Sequence, residues 1–179
     1  MEKEYLKDVR EQYENYPYPK RNPLDENNRF FAIVTEQLSR INHYGFKGKI
    51  PLYKKGEGEE FRILVAGGGT GDASTHLGVQ LKNINAKIIY LDISESSLAI
   101  AKERAKIRGL DNIEFIHGSI LDIPKMNLKP FHYINSCGVL HHLKSPTQGL
   151  NALKSVLKDN GLMGVMVYGK YGRNGIYQM

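Results

Sequence analysis

The 179-residue sequence has no tryptophan and a single cysteine, Cys137. One thiol excludes an internal disulfide framework and suits a reducing compartment, so a cytoplasmic location is expected. Long apolar runs are also missing. None approaches the roughly 20 residues a membrane span needs, so no membrane partner is expected. The start, Met1-Glu2-Lys3-Glu4-Tyr5, is charged and lacks the apolar centre of a signal peptide. Nor does one sign of charge dominate: 25 Lys and Arg stand against 19 Asp and Glu, and the two signs are interleaved. That pattern suits a solvated surface better than the dense basic face of a nucleic-acid binder. With 41% hydrophobic and 25% charged residues, the chain reads as one globular unit with a real core.

What is present is a sharp local feature. Phe61-Arg62-Ile63-Leu64-Val65-Ala66 is followed by Gly67-Gly68-Gly69-Thr70-Gly71-Asp72. An apolar run halted by glycines reads as a buried strand turning into a loop. Without Cβ atoms the loop can take positive φ and let a ligand lie on bare backbone. A helix opening at Asp72 would aim its free N–H groups at that ligand.

Strand and helix signals alternate from here. Strands are expected at 61–66, 87–91 (ending at Asp92), 113–116, 131–136 and 162–168. Helices are expected at 72–82, from a Ser94 cap to Arg108 with Gly109 as its stop, and from Ser145-Pro146 to Asn160-Gly161. Before residue 61, two helices are expected: Glu2 to Asn15, ended by Tyr16-Pro17-Tyr18-Pro19, and Asp25 to Tyr44 with Phe30, Phe31, Ile33, Val34, Leu38 and Ile41 as its stripe. The expected organisation is a helical arm and linker over 1–60 and a compact α/β unit over 61–179. Continuous apolar strands predict a Rossmann-like, doubly wound, mostly parallel sheet. Ligands then lie at the carboxyl ends of the strands, where the strand order reverses. The glycine loop, Asp92, Gly118-Ser119-Ile120 and Ser136-Cys137-Gly138 all follow strand ends.

Asp92 lies 21 residues beyond Gly71. Alone it would be a capping or surface acid. At the end of the second strand it can accept hydrogen bonds from both hydroxyls of a ribose. A dinucleotide fingerprint needs a third glycine where Asp72 stands, and an anion there would repel a pyrophosphate. No Lys-Ser/Thr pair follows the glycines, so this is not a P-loop. A nucleotide-dependent oxidoreductase is therefore disfavoured, and a cationic adenosine ligand without phosphates is favoured.

The chain resembles the class I S-adenosylmethionine-dependent methyltransferases. Val65-Ala66-Gly67-Gly68-Gly69-Thr70-Gly71 is similar to their first motif, Tyr90-Leu91-Asp92-Ile93-Ser94 to their second and 112–124 to their third. The segment from Ser136-Cys137-Gly138-Val139-Leu140-His141-His142-Leu143 to Leu157-Lys158-Asp159-Asn160-Gly161-Leu162 is similar to their stretch between strands four and five. Tyr13-Glu14-Asn15-Tyr16-Pro17-Tyr18-Pro19 further resembles a bacterial subgroup, some members of which are fused to tetratricopeptide repeats. The resemblance implies S-adenosylmethionine as cofactor, S-adenosylhomocysteine as product and strand order 3-2-1-4-5. It implies cofactor contacts from Gly67, Gly69, Thr70, Gly71, Asp92, Ile93, Ser119, Ile120, Cys137 and Gly138, and no metal. Two departures imply weaker binding: Val65 and Ser119 stand where members often carry acids. Members also continue past strand five with an antiparallel pair. Only Gly169 to Met179 remains here, so the chain is expected to be truncated, with strand five as an exposed edge through which it could dimerise.

No catalytic residue is identified. His141-His142 could act as a base or start a helix, Cys137 could relay a methyl group or fill a turn, and Tyr13, Tyr16 and Tyr18 could form a lid or simply pack. The methyl acceptor, whether small molecule, RNA or protein, is not specified. The alternative to an active enzyme is a cofactor-binding module that needs further C-terminal segments.

Overall fold

A computed structural model describes residues 2–169, and the side chains from Lys7 onward. Five strands form one parallel sheet: β1 (Phe61–Ala66), β2 (Ala86–Asp92), β3 (Ile113–His117), β4 (Phe131–Cys137) and β5 (Leu157–Met166), in the order β3-β2-β1-β4-β5. This is the expected Rossmann-like doubly wound arrangement. The order reverses between β1 and β4, which opens a crevice at their carboxyl ends.

Alternate residues of each strand serve opposite faces. Leu64 and Ala66 join Ile89, Leu91, Ile134, Ala152 and Leu153 on one face. Phe61, Ile63 and Val65 join Ile88, Leu77, Leu81 and Tyr133 on the other. Full burial of one such aliphatic side chain contributes about 1.5–3 kcal/mol, so β1, central and buried on both sides, anchors the sheet.

The helices α3 (Asp72–Gln80), α4 (Glu95–Ile107) and α5 (Pro146–Lys154) cover the sheet. Their starts obey local chemistry. The Ser94 hydroxyl accepts from the Ser97 N–H, and Ser145 caps α5 with Pro146 in the first turn. The first helix, α1 (Glu2–Asn15), also forms where expected.

Two expectations fail. No helix spans 25 to 44. The segment is a 3-10 turn (Pro23–Asn27), an extended stretch, a second 3-10 turn (Val34–Glu36), and a short α2 (Leu38–Arg40) that widens into a π turn (Ile41–Gly45). The apparent stripe is broken: Leu38 and Ile41 reach the core, but Val34 is 60% exposed, while Glu26 and Glu36 are buried. Consecutive Ile33-Val34-Thr35 is β-branched and weakly helical. Irregular backbone instead reaches α3, with the Ile33 N–H donating to His76 Nδ1 and the Leu38 N–H to Gln80 Oε1.

The second failure concerns Asn160-Gly161, expected to separate α5 from β5. α5 ends at Lys154 and β5 already begins at Leu157. Pairing moves from Phe131↔Leu157 to Tyr133↔Leu162, so β5 spends five residues where β4 spends two. The turn residues sit inside the strand as a bulge, and a Cβ on Gly161 would lie 3.0 Å from the Phe131 carbonyl oxygen. Among the described residues β5 is the sheet edge, as expected. The expected tail beyond 169 lies outside the described residues.

Candidate functional site

The ends of β1, β2 and β4 open into a cavity of about 450 Å³, within the roughly 300–1,000 Å³ of small-molecule sites. Among the expected cofactor contacts, Gly67, Gly69, Asp92, Ile93, Ser119, Ile120, Cys137 and Gly138 line it. Thr70 and Gly71 do not. Thr70 is buried, its hydroxyl donating to the Pro19 carbonyl at 2.6 Å and its N–H to the Tyr18 carbonyl at 3.3 Å. Gly71, at φ +94°, caps α3 against Ala101.

Asp92 is the hinge of the site. Its Oδ2 accepts from the Gly69 N–H at 2.8 Å and its Oδ1 from the Ser94 N–H at 2.9 Å. One carboxylate thus fixes the glycine loop after β1 and the entry to α4. Burial pushes its pKa up, against the backbone hydrogen bonds from Ser94, Gly69 and Ile93. Tyr90, beneath the loop, donates to the Gly69 carbonyl, and its ring occupies the space a Cβ on Gly68 would need.

The arm closes one side. Tyr13, Tyr18 and Pro19 line the cavity, whereas Tyr16 is 77% exposed and does not. Tyr13 Oη lies 3.0 Å from His142 Nε2, bridging the arm and the 3-10 turn (Leu140–His142) after β4. Glu14 accepts from the Ser96 N–H and hydroxyl, which fastens the end of α1 to the start of α4. Of the two histidines, only His142 reaches the cavity; His141 stacks on Tyr168 with ring centroids 3.8 Å apart. Cys137 is exposed toward the cavity rather than filling the turn. Desolvation by the cavity walls, then the Glu36 carboxylate, push its thiol up, which argues against a thiolate relay.

Asp72 behaves differently from its sequence context. It lines the cavity, but Arg21 clamps it in a bidentate pair at 2.7 and 2.9 Å, and Arg104 donates to it at 2.7 Å. Although burial opposes it, these guanidiniums hold its carboxyl below the usual aspartate range. Its charge is compensated, so its repulsion of phosphate is smaller than the motif alone suggests. Arg104, 1% exposed, also pairs with Glu26 at 2.7 Å and donates to the Thr70 carbonyl.

Glu36 carries no signal in the local sequence. It is 3% exposed, lines the cavity beside Asn135 and Cys137, and accepts from the Tyr133 hydroxyl at 2.9 Å. Burial pushes its pKa up despite hydrogen bonds from Tyr133, Thr35 and Asn135. Only the tertiary fold reveals it, because the contact joins residues 97 positions apart. Among the described residues, no cluster of His, Cys, Asp and Glu is arranged to hold a metal ion, and no helix is long and apolar enough to cross a membrane.

The profile of a methyltransferase domain family matches residues 58–169. The uncharacterized protein syc1184_c of a Synechococcus strain is 42% identical over 119 residues, which cover 66% of this chain and 28% of that one. The tRNA 5-carboxymethoxyuridine methyltransferase of Escherichia coli is 30% identical over 115 residues, or 64% of this chain and 42% of that one. The chain thus spans less than half of either relative. PKMT2 from Rickettsia typhi, solved in complex with AdoHcy, superposes with a TM-score of 0.57 at 22% identity, covering 64% of this chain and 22% of that one, and shares the fold. The chain belongs to the methyltransferase domain family.

Proposed function

We propose that this member of the methyltransferase family binds S-adenosylmethionine in the cavity at the β1–β4 crevice and supports transfer of its methyl group to an acceptor. The observation that carries this is Asp92: a buried carboxylate at the end of β2, clamped to the glycine loop and facing a cavity of suitable size. Its two oxygens accept from the Gly69 and Ser94 N–H groups and retain capacity for a ribose hydroxyl. The residues fit such a ligand in charge as well. Among the described residues, Asp92 and Glu36 are cavity acids with no arginine or lysine at ion-pair distance, which suits a sulfonium and disfavours a pyrophosphate.

In this proposal the bare backbone of Gly67 to Gly69 lies against the thioether end, Ser119 and Ile120 flank the base, and Cys137 and Gly138 border the reacting end. The Ser119 hydroxyl accepts from the Leu121 N–H and still has a proton to donate to the base. When bound, the sulfonium supplies an activated methyl group and a neutral thioether leaving group. The protein supplies alignment and exclusion of water. His142 and the Tyr13 hydroxyl stand at the cavity edge, where an acceptor proton could be taken up. The acceptor belongs to the small-molecule, RNA or protein classes. The β5 edge, where Val165 is 44% exposed, is the surface proposed for self-association.

Calorimetric titration separates the alternatives. S-adenosylhomocysteine should bind in the micromolar range or tighter, and NAD should not. Binding of NAD without S-adenosylhomocysteine would overturn the proposal. Binding of S-adenosylhomocysteine with no turnover on any of the three acceptor classes would leave a cofactor-binding module.

A further inference from the structure

Among the described residues, the acids Glu26, Asp72, Asp92 and Glu36 are buried or half-buried near the crevice, and they divide by partner. Glu26 is held by Arg104 and Arg108, and Asp72 by Arg21 and Arg104. Among the described residues, Asp92 and Glu36 are matched by no arginine or lysine at ion-pair distance, and both line the cavity. Asp92 has backbone N–H donors, Gly69 and Ser94 among them, to satisfy it as an anion. Glu36 has neutral side-chain donors alone, from Tyr133, Thr35 and Asn135. An acid buried without a counter-charge is costly to ionise. A fold that neutralises Glu26 and Asp72 with arginines and Asp92 with backbone N–H groups, but leaves Glu36 with neutral side-chain donors facing a cavity, has a site for a cation that arrives from outside.

We propose that Glu36 is the cation-recognising residue of the cavity, pairing with the primary ammonium at the amino-acid end of the nucleoside ligand while Asp92 takes the ribose hydroxyls. This rests on the function proposed above. It also gives the arm a chemical role. Glu36 sits on the segment before β1, and its carbonyl accepts from the Gln80 amide at 3.0 Å, so the ammonium site is tied to both the arm and α3. An ammonium beside Glu36 favours its ionised form, so binding at a pH where free Glu36 holds a proton releases that proton. The other groups that face Glu36, the Tyr133 phenol and the Cys137 thiol, are both pushed above their ordinary values of 10.0 and 9.0 and stay neutral in this range. Asp72 across the cavity stays ionised.

The test compares S-adenosylhomocysteine with 5′-methylthioadenosine, which keeps the nucleoside and sulfur but lacks the ammonium. In Glu36→Gln, which preserves an acceptor for the Tyr133 hydroxyl, affinity for S-adenosylhomocysteine should fall at least tenfold at pH 7.5 and affinity for 5′-methylthioadenosine should hold within twofold. In the unmodified protein the ratio of the two affinities should rise as pH is raised above the ordinary carboxylate value of 4.5 and through the Glu36 titration; Asp92 acts on both ligands and cancels from it. In Glu36→Gln the ratio should stay constant. Equal losses for both ligands would mean a structural role and overturn the inference, as would unchanged affinity for S-adenosylhomocysteine. If the unmodified protein binds 5′-methylthioadenosine and S-adenosylhomocysteine equally well, the inference fails while the proposed function stands. If it binds neither, both fail.

Discussion

Arg104, on α4, and Glu26, in the arm, form a fully buried ion pair with nitrogen and oxygen 2.7 Å apart. The same guanidinium donates to the Thr70 carbonyl and to Asp72. One side chain therefore locks the arm, the glycine loop and the start of α3 together. Loss of one partner leaves the other charged and buried, at a cost of about 3–5 kcal/mol.

Glu26→Ala should accordingly lower unfolding stability by about 3 kcal/mol or more, read from urea denaturation. Arg108 would also lose its carboxylate. Replacing the pair together, Glu26→Leu with Arg104→Met, should recover much of that loss. A Glu26→Ala protein as stable as the parent would show that the pair contributes nothing.

Asp92→Ala removes the acceptor for two backbone N–H groups and for the proposed ribose hydroxyls. Affinity for S-adenosylhomocysteine should fall by about 2–3 kcal/mol, roughly 30- to 150-fold. Asp92→Asn keeps one acceptor oxygen and should lose less. Calorimetry reads both, and an unchanged dissociation constant would remove Asp92 from the site.

Gly69 has φ +52°, and a Cβ there would lie 2.5 Å from the Tyr18 carbonyl oxygen. A Cβ is fixed by its own backbone and the Tyr18 oxygen is itself backbone, so neither can swing aside and Gly69→Ala has to push the arm off the loop. The Thr70 amide, which donates to that carbonyl, should lose hydrogen-exchange protection, and a protease should cut more readily near Tyr18. Unaltered exchange at Thr70 would contradict the close approach.

Glu36 makes stability fall with rising pH. Its folded pKa lies above the ordinary 4.5, so between those two values the folded state holds a proton that the unfolded chain has lost. Unfolding then becomes easier as pH rises through that window. Glu36→Gln abolishes this term, so its stability relative to the parent should improve from pH 4 to pH 7. Asp72 works in the opposite sense: its depressed pKa adds stability above about 3.8 that is lost on acidification. Parallel unfolding curves for parent and variant at every pH would refute the assignment to Glu36.

The sequence by itself determined the parts built from short-range patterns. Apolar runs of strand length, Ser94 and Ser145 as caps, and glycines after β1 were legible because each depends on neighbours within a turn or two. Asp92 was legible for the same reason, being fixed at the end of its own strand. What only the tertiary structure decided was pairing across distance. The 25–44 segment looks helical in isolation, yet its backbone donors go to His76 and Gln80 and its acids to Arg104, Arg108 and Tyr133. Asp72 looks like a bare anion until Arg21, 51 residues away, folds onto it. Glu36 looks like a surface acid until the arm buries it against β4. Periodicity records which side of an element meets apolar matter, but a charge is defined by its counter-charge, and only the folded chain brings the two together.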